Sequence, residues 1–456
     1  RYANSISTHR YGFSEPFTNY GITSLEKQHY LKSSIMETPP TETDAASSQS
    51  PSNLASSIVI PILTGISTVH LLNDIMQAVV PATFPIFQRT LHLSYTELGL
   101  IAFANSMTAS VMQPIIGWYT DRKPQPYWLP IGMACTMAGM GLLSIATSLS
   151  GIILAVMLVG LGSAVFHPEA SRIVLLSSGA RQGLAQSIFQ VGGNMGTSFA
   201  PLMTILIFVP MGQFGAVWFV GMAAVALVML YWIAGWYKAH ISSFRKRSVA
   251  ARIRRTGKQL QIIRFAAVLV FFLAFLRAWF VAGMSNFYSL FQMQHFGTSL
   301  SVAQTHTFVF LFAGAIGTLF GGFFADRFGK KNALAFSTLG CAPFAVFLPF
   351  TSAAHNGILS YILVAGSGFA ILTGFTVALI YMFDLLPGRT GMVSGLMFGL
   401  AFGLAAIGSI ALGRIADWLG IYPMMILCCF LPVLGVVTYF LPDDVRIRTW
   451  NIPADE

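Results

Sequence analysis

Long hydrophobic runs follow one another from Ile58 to Leu441, and only short polar stretches separate them. A helix that crosses the apolar core of a bilayer needs about 20 mostly apolar residues, and each run is long enough to do so. The pattern predicts an all-α integral membrane protein with twelve transmembrane helices in two six-helix halves. The predicted spans lie near residues 58–84, 95–119, 127–147, 151–176, 183–209, 214–236, 263–290, 302–324, 333–352, 357–383, 391–412 and 421–441.

Two short motifs occur twice along the chain at nearly the same offset. Gly117 and Asp121 follow the second span, and Gly322 and Asp326 follow the eighth, so that the two aspartates lie 205 residues apart. An Arg-x-Gly motif likewise opens the fifth and the eleventh spans, 208 residues apart. These offsets predict two halves with the same helix order, related by an axis along the membrane normal.

The polar stretches divide the chain into five predicted regions. The first of them is rich in Ser, Thr and Pro, which is typical of a disordered tail. The regions are a disordered cytoplasmic tail (1–56), an N-terminal six-helix half (57–237), a basic cytoplasmic linker (238–262), a C-terminal six-helix half (263–442) and a cytoplasmic tail (443–456).

Composition and charge point to lipid as the surrounding medium. Charged residues make up only 9% of the chain, whereas soluble domains carry about 25%. The net charge of +10 could suggest nucleic acid, but 22 of the 26 Lys and Arg residues lie on one side of the predicted spans. Nine of these 22 fall between Lys238 and Arg264, where there is no acid. Because positively charged loops stay in the cytoplasm, we predict that both termini are cytoplasmic.

The repeated loop motif predicts a gating element. Its glycine lets a neighbouring helix approach closely, and its aspartate can accept hydrogen bonds from a facing helix N-terminus. Such a charged clasp can lock one conformation and release it in another; the alternative is that the loop only determines topology. The candidate gating residues are Gly117, Asp121, Arg122, Gly322, Asp326, Arg327, Gly329 and Lys330.

Ionisable side chains at membrane depth are costly, so each of them is a functional candidate. His70 and Asp74 are four residues apart and share a helix face, where a carboxylate and an imidazole can form a proton site. The alternative is a structural hydrogen-bonded pair. The fourth span carries His167 and Glu169, which we also predict to take part in proton coupling. Glu169 and Arg172 are three residues apart and could instead form a neutralised ion pair.

Three amide side chains recur at four-residue spacing on the fifth span and form a polar stripe that suits a wet cavity better than lipid. Arg277 lies midway through the seventh span with no acid within one turn, and a guanidinium matches phosphate-like oxygens bidentately. The alternative is that Arg277 pairs with an acid such as Asp74 and holds the halves together. The candidate cavity residues are Gln186, Gln190, Asn194, Arg172 and Arg277.

The doubled loop motif is similar to that of the major facilitator superfamily, over residues 57–441. Several longer strings resemble those of the bacterial fosmidomycin resistance proteins, a branch of drug-efflux antiporters. These strings are His70-Leu-Leu-Asn73-Asp74, Phe166-His167-Pro168-Glu169-Ala-Ser171-Arg172, Gly183-Leu-Ala-Gln186-Ser-Ile-Phe-Gln190-Val-Gly-Gly193-Asn194 and Leu386-Pro387-Gly388-Arg389-Thr-Gly391-Met392-Val393-Ser394-Gly395.

The resemblance implies a transporter of the bacterial inner membrane that exports small anionic or amphipathic drugs, such as fosmidomycin-like phosphonates, in exchange for protons. It also implies alternating access and a role in antibiotic resistance.

The chain departs from the general loop motif at Pro124, which stands where Gly is usual. The fifth-span glycines Gly183, Gly192 and Gly196 fit the spacing of a drug-antiporter motif, although Thr197 replaces its proline; such glycines permit tight helix packing.

The sequence contains no Walker loop and no HExxH, CxxC or G-x-S-x-G pattern. We therefore predict no catalytic residue, metal or cofactor, and a small-molecule substrate and protons as partners. A proton-coupled symporter for a small metabolite is the alternative within transport. A polytopic membrane enzyme or a non-transporting receptor is less favoured, because an enzyme needs a catalytic cluster and a receptor needs no paired loop clasps.

Overall fold

The structure is a computed structural model that describes residues 58–179, 182–240, 256–352, 356–386 and 390–450. Every regular element in these ranges is a helix, and they contain no strand. The all-α prediction is therefore confirmed. The predicted N-terminal tail, the centre of the basic linker and the two repeated arginines at 181 and 389 lie outside the described residues.

The principal helices are numbered in chain order so that each label matches the predicted span it overlaps. They are α1 (Ile60–Ala82), α2 (Tyr95–Arg122), α3 (Trp128–Ile145), α4 (Leu149–Ser177), α5 (Gln182–Met203), α6 (Val217–His240), α7 (Gly257–Asn286), α8 (Leu300–Phe328), α9 (Lys330–Leu339), α10 (Ile358–Leu385), α11 (Thr390–Leu419) and α12 (Ile421–Phe430). Shorter helical segments cover Phe84–Leu91, Thr204–Phe208, Val209–Met211, Gly212–Ala216, Tyr288–Phe296, Ala342–Ala345, Leu348–Phe350, Leu431–Phe440 and Asp444–Trp450.

Nine stretches of the described residues are long and apolar enough to cross a membrane, and one of them, Ala185–His240, runs through two predicted spans. The helices α1 and α11 lie outside these nine. On α1 the polar residues His70, Asn73 and Asp74 lower the mean hydropathy. The helical class is thus confirmed, whereas the count of twelve membrane-crossing helices stays a prediction.

The basic linker between the two halves is shorter than predicted. α6 runs on to His240 and α7 begins at Gly257, so both described ends of the predicted 238–262 linker are helical. Thr256 caps α7: its hydroxyl accepts a hydrogen bond from the Gln259 N–H, and the Gln259 side chain accepts one from the Thr256 N–H. This reciprocal pair satisfies two N–H groups that a helix start leaves unpaired, which explains why the helix begins before the apolar run does.

The helix pairs of the first half recur in the second. α1 packs on α5 and α2 on α4, as α7 packs on α11 and α8 on α10. Small residues allow the close approach: a Cβ at Gly192 would lie 2.3 Å from the Ser67 carbonyl oxygen, and one at Gly196 would lie 2.3 Å from that of Leu71. The predicted tight packing is therefore confirmed at Gly192 and Gly196, where α5 lies against the polar part of α1, while the surroundings of Gly183 lie outside what the structure describes.

Candidate functional site

His70 and Asp74 lie one turn apart on α1, and the His70 side chain reaches across to α5. Its Nδ1 atom is 2.7 Å from the carbonyl oxygen of Phe189. A carbonyl oxygen only accepts hydrogen bonds, so Nδ1 carries a proton. The other ring nitrogen, Nε2, is 3.3 Å from Oδ2 of Asp74. His70 thus links α1 to α5 through one nitrogen and faces the carboxylate with the other.

This arrangement calls for a further proton between the two side chains. With Nδ1 protonated, a neutral imidazole presents a lone pair at Nε2, and an ionised carboxylate presents lone pairs at Oδ2. Two acceptors repel at 3.3 Å, and they do so strongly here because His70 is only 3% exposed to screening water. A proton on Nε2 or on Oδ2 converts the contact into a hydrogen bond. The geometry is that of a pair that shares one proton.

Asn73 and His167 complete a cluster around Asp74. The Asn73 amide donates a hydrogen bond of 3.0 Å to Asp74 Oδ1, and Nε2 of His167, on α4, lies 3.9 Å from the same oxygen. Asp74 and His167 are 18% and 25% exposed, so unlike His70 they reach solvent-accessible space. The structure therefore brings together three of the four predicted proton-coupling residues, which we call the His70–Asp74–His167 cluster.

On α5, Phe189 and Gly193 pack against this cluster, and neither has a polar side chain. The His70 ring stacks on the Phe189 ring with centroids 4.0 Å apart. A Cβ at Gly193 would lie 2.5 Å from the His70 ring and 2.7 Å from Asp74 Oδ2, so only glycine lets α5 come this close. Sequence reasoning did not single out either residue, because a backbone carbonyl and a missing side chain leave no chemical signal.

Glu169 and Arg172, also on α4, form a separate buried cluster. Arg172 Nη1 is 2.8 Å from Oε1 of Glu169, which is fully buried. The guanidinium also donates to the Thr120 carbonyl on α2 at 3.1 Å, and the Tyr237 hydroxyl on α6 donates to Glu169 Oε2 at 3.3 Å. The pair thus ties α4 to α2 and α6, which matches the neutralised ion pair. A proton-coupling role for Glu169 and a cavity role for Arg172 stay predictions.

The polar stripe on α5 is accessible along its length. Gln186, Gln190 and Asn194 are each partly exposed. Gln190 directly follows Phe189, whose carbonyl accepts the hydrogen bond from His70. The stripe therefore runs past the point at which α5 contacts His70, with Gln186 before it and Asn194 after it.

Arg277 lies part-buried on α7, in the other half. Its guanidinium carbon is 4.6 Å from the centre of the Phe375 ring on α10, a cation–π contact. In the part of the chain that the structure describes, no carboxylate oxygen lies within 4.0 Å of Arg277. Arg277 and Asp74 are therefore not paired in this conformation. The Asp74 carboxylate instead faces His70, Asn73 and His167.

The first copy of the loop motif is described only in part. α2 runs to Arg122, but the side chains of Asp121 and Arg122 lie outside the described residues. A Cβ at Gly117 would lie 3.8 Å from the side chain of Pro168, which is an ordinary contact. The close helix approach predicted at the motif glycines is also absent at Gly322, where no described atom would lie within 4 Å of a Cβ.

In the second copy of the loop motif, Lys330 contacts residues of its own half. Lys330 forms an ion pair with Asp384 on α10, and its backbone N–H donates to Asp444 Oδ2 at 2.5 Å. Gly329 adopts a φ of 85°, which favours glycine and turns the chain into α9. Asp326 and Arg327, by contrast, have exposed side chains. In this conformation Lys330 of the motif is paired with Asp384, while the Asp326 side chain is exposed.

A contact that sequence reasoning missed joins the halves at the opposite end of the helices. The Asp417 carboxylate, at the end of α11, accepts hydrogen bonds from the backbone N–H groups of Tyr95 and Thr96 at 2.9 and 2.7 Å, and from the Thr96 hydroxyl. These N–H groups open α2, where an anion also interacts favourably with the helix dipole. We call this contact of Tyr95, Thr96 and Asp417 the outer latch.

The outer latch repeats the spacing of the loop motif. Gly413 and Asp417 form a third Gly-x-x-x-Asp, which was the available signal for it in the sequence. A Cβ at Gly413 would lie 2.4 Å from the Tyr95 carbonyl oxygen, so this glycine does allow the close approach that was predicted for the loop copies. A Cβ at Gly99 would lie 2.4 Å from the Ser409 carbonyl oxygen, which extends the tight seam between α2 and α11.

Two further polar bridges between the halves lie at the same end. Gln294 donates to the Gln88 side-chain oxygen at 2.8 Å and also contacts the Tyr95 hydroxyl. Gln304 on α8 donates to the Ala82 carbonyl at 2.8 Å. Among described residues, every hydrogen bond that joins one half to the other belongs to this end, which is the extracytoplasmic end in the predicted topology. The structure is therefore closed there.

The sequence profile of the Major Facilitator Superfamily matches residues 66–406. The chain belongs to the major facilitator superfamily. The all-α fold of the described residues agrees with this assignment.

Relatives within the superfamily support the more specific resemblance. The chain is 42% identical over 383 residues to the fosmidomycin resistance protein of Escherichia coli, which covers 84% of this chain and 93% of that protein. It is 46% identical over 396 residues to the uncharacterised MFS-type transporter YfnC of Bacillus subtilis, covering 86% of this chain and 95% of that protein.

Solved structures share the major facilitator fold. A bacterial homologue of the human lysosomal transporter Spinster, in an inward-facing and occupied conformation, aligns with a TM-score of 0.66 at 16% identity, over 84% of this chain and 96% of that one. The nucleoside transporter NupG aligns with a TM-score of 0.63 at 13% identity, over 83% of this chain and 99% of that one. This major facilitator protein is accordingly a multi-pass membrane transporter of a small molecule and not an enzyme.

Proposed function

We propose that this transporter exports small anionic or amphipathic compounds, such as fosmidomycin-like phosphonates, across the bacterial inner membrane in exchange for protons. The observation that carries the proposal is the contact between His70 Nε2 and Asp74 Oδ2, which is stable only when a proton lies between them. The name of the relative from Escherichia coli supports the substrate class.

Proton release from this pair favours movement of α1 relative to α5. Once the shared proton leaves, Nε2 and Oδ2 are two acceptors at 3.3 Å in a poorly hydrated site, and the repulsion falls if they separate. His70 and Asp74 both belong to α1, and His70 also donates to the Phe189 carbonyl on α5. Separation of the two side chains would turn the His70 ring and disturb this hydrogen bond. Protonation would therefore affect how closely α1 and α5 pack, which is how a proton can select a conformation.

Arg277 supports an anionic substrate. Its guanidinium is part-buried against Phe375. A part-buried cation with no carboxylate nearby among the residues that the structure describes attracts anions and repels cations. The polar stripe on α5 would supply hydrogen bonds to the same compound from the opposite half. A phosphonate matches this arrangement, because two of its oxygens can accept from one guanidinium.

Alternating access requires that the halves part at the end where they now meet. The outer latch and the two glutamine bridges would hold the inward-open state, and all three would break when the transporter opens outward. The loop copies around Asp121 and Asp326 would take over at the cytoplasmic end, where Asp326 is exposed in this conformation.

Export can be tested in everted membrane vesicles from cells that overproduce the protein. With an inside-acid proton gradient, we expect fosmidomycin to accumulate in the vesicles and to dissipate part of the gradient, since each molecule that enters drives a proton out. Vesicles without the protein are the control. Uptake driven by a gradient of the opposite sign would favour the symporter, and no uptake under either gradient would contradict the proposed substrate.

Replacing Asp417 with Asn is expected to weaken the outer latch. Asn keeps the shape but removes the negative charge at the start of α2, a loss of about 0.3–1 kcal/mol for an exposed side chain such as that of Asp417. The population of outward-open molecules should therefore rise about two- to five-fold. Spin labels on cysteines introduced at Arg89 and His295, which are exposed on opposite halves near the latch, would report this as longer distances by pulsed electron resonance.

Two variants serve as controls for this experiment. Asp417→Glu keeps the charge and should stay closer to wild type than Asp417→Asn. Asp443→Asn removes an exposed carboxylate that pairs only with Lys331 among described residues, and it should leave the outer distances unchanged. An unaltered distance distribution in Asp417→Asn would mean that the latch does not hold the two halves together.

A further inference from the structure

We propose that the His70–Asp74–His167 cluster binds a divalent transition-metal ion of the zinc type in place of the proton. No sequence motif indicates such a site, because His167 lies 93 residues beyond Asp74 along the chain. The inference goes beyond the proposed export function: an ion can bind here whether or not protons drive transport.

The ligand atoms are already close to coordination distance. One nitrogen from each histidine and one carboxylate oxygen lie within 4.8 Å of one another. Zinc bonds of about 2.0–2.2 Å in a tetrahedron place neighbouring ligand atoms roughly 3.4 Å apart. The His70 Nε2–Asp74 Oδ2 distance of 3.3 Å meets this value. The nitrogen of His167 lies no more than 4.8 Å from each of the other two ligand atoms, so it has to move closer to them by at most roughly 1.4 Å.

His70 is oriented as metal-binding histidines usually are. Such a residue donates its second ring N–H to a carbonyl or a carboxylate, which fixes the tautomer and turns the other nitrogen toward the ion. The Nδ1 hydrogen bond of 2.7 Å to the Phe189 carbonyl does this for His70. The Asn73 amide holds Asp74 Oδ1 in the same way at 3.0 Å. Two of the three ligands are therefore positioned before any ion arrives.

The lone pairs that repel each other in the absence of a proton are the same ones that a metal ion would use. An ion between Nε2 and Oδ2 relieves the repulsion as a proton does, and adds the His167 nitrogen as a third ligand. The fourth position faces the accessible side of the cluster, since Asp74 and His167 are partly exposed, and water can fill it. Two imidazoles and one carboxylate suit zinc, cobalt, nickel or copper rather than magnesium or calcium, which prefer oxygen.

Binding at this position would compete with the proton and arrest transport. The ion would bridge α1 and α4, while the His70 hydrogen bond to Phe189 keeps α5 in place. The three helices would then be held in the arrangement seen here. We therefore expect zinc to inhibit any transport that depends on relative movement of these helices.

Cobalt is the probe of choice, because tetrahedral Co²⁺ has a strong visible absorption that its hydrated ion lacks. The purified full-length protein in detergent should show this band with one equivalent of Co²⁺ and lose it when Zn²⁺ is added. His167→Ala removes a direct ligand, and the affinity should fall about 100-fold or more, since even changes to groups behind the ligands cost about 10–100-fold. His167→Gln checks that a loss does not arise from misfolding caused by the smaller side chain.

A matched control is available on the surface. His295 lies on the Tyr288–Phe296 helix with an exposed side chain, and His295→Ala should bind Co²⁺ as the wild type does. Absence of a tetrahedral band in the wild type would overturn the proposal, and so would a band of equal affinity in His167→Ala. The spectrum requires no gradient and no drug, so failure of the export assay with an intact cobalt band would count against the proposed function alone.

Discussion

Vesicles that carry the Asp74→Asn variant are expected to show no proton-driven export, although the protein still reaches the membrane and binds its substrate. Asparagine cannot take up or release a proton in this range of pH. Its amide can, however, donate to the lone pair on His70 Nε2 across the present 3.3 Å contact. The variant therefore imitates the protonated state of the pair, and it cannot change to the deprotonated state.

Two measurements separate coupling from binding. Accumulation of fosmidomycin in everted vesicles under an imposed gradient should fall to the level of vesicles without a gradient. Equilibrium binding of the same compound to the purified variant should persist. Asp443→Asn, which neutralises an exposed carboxylate far from the cluster along the chain, should behave like the wild type in both. An Asp74→Asn variant that still concentrates the compound with normal pH dependence would refute the role of this carboxylate.

Substitution of Arg277 should discriminate against anionic substrates in particular. A hydrogen-bonded contact with a charged group contributes about 1.5–3 kcal/mol, so Arg277→Gln should weaken the apparent affinity for phosphonates roughly 10- to 100-fold. Arg277→Lys keeps the charge but loses the planar pair of donors, and should retain part of the activity. Transport of a neutral substrate should be spared in both variants.

Concentration dependence of uptake in vesicles measures this effect for each substrate in turn. Arg89→Gln is a suitable control, because it removes an exposed arginine from the short Phe84–Leu91 helix. An equal loss for anionic and neutral substrates would favour a structural role for Arg277. The same holds if neutralising Asp74 rescues Arg277→Gln, although the two side chains are not paired in the conformation described.

Much of the site could be predicted because its residues are unusual where they stand. An imidazole and a carboxylate one turn apart in an apolar helix are costly, so their presence alone indicates a function. His70 and Asp74 were found in this way, and they do face each other. The location of the proton could not be predicted, since it depends on the Phe189 carbonyl, which lies 119 residues from His70 and has no side-chain signature.

Glu169 illustrates the opposite outcome. Like Asp74, it is an acid inside an apolar helix, and the sequence favours function for both. In the structure its carboxylate is saturated by Arg172 and the Tyr237 hydroxyl. The first of these partners lies three residues away on α4, but Tyr237 lies 68 residues away on α6. Only packing decides which of two similar acids is neutralised by an arginine and which is left partly exposed.

The sequence by itself determined the properties that arise locally: the helical class, the hydrophobic runs, the side of the membrane that the basic loops favour, and the repeat. Hydropathy, charge and spacing carry these along short segments of chain. The tertiary structure alone decided at which end hydrogen bonds join the two halves and which groups His70 and Asp74 contact. These depend on contacts such as that of Asp417 with the N–H of Thr96, 321 residues away. The strength of such a contact comes from the position of two helix ends in space, which no short stretch of sequence encodes.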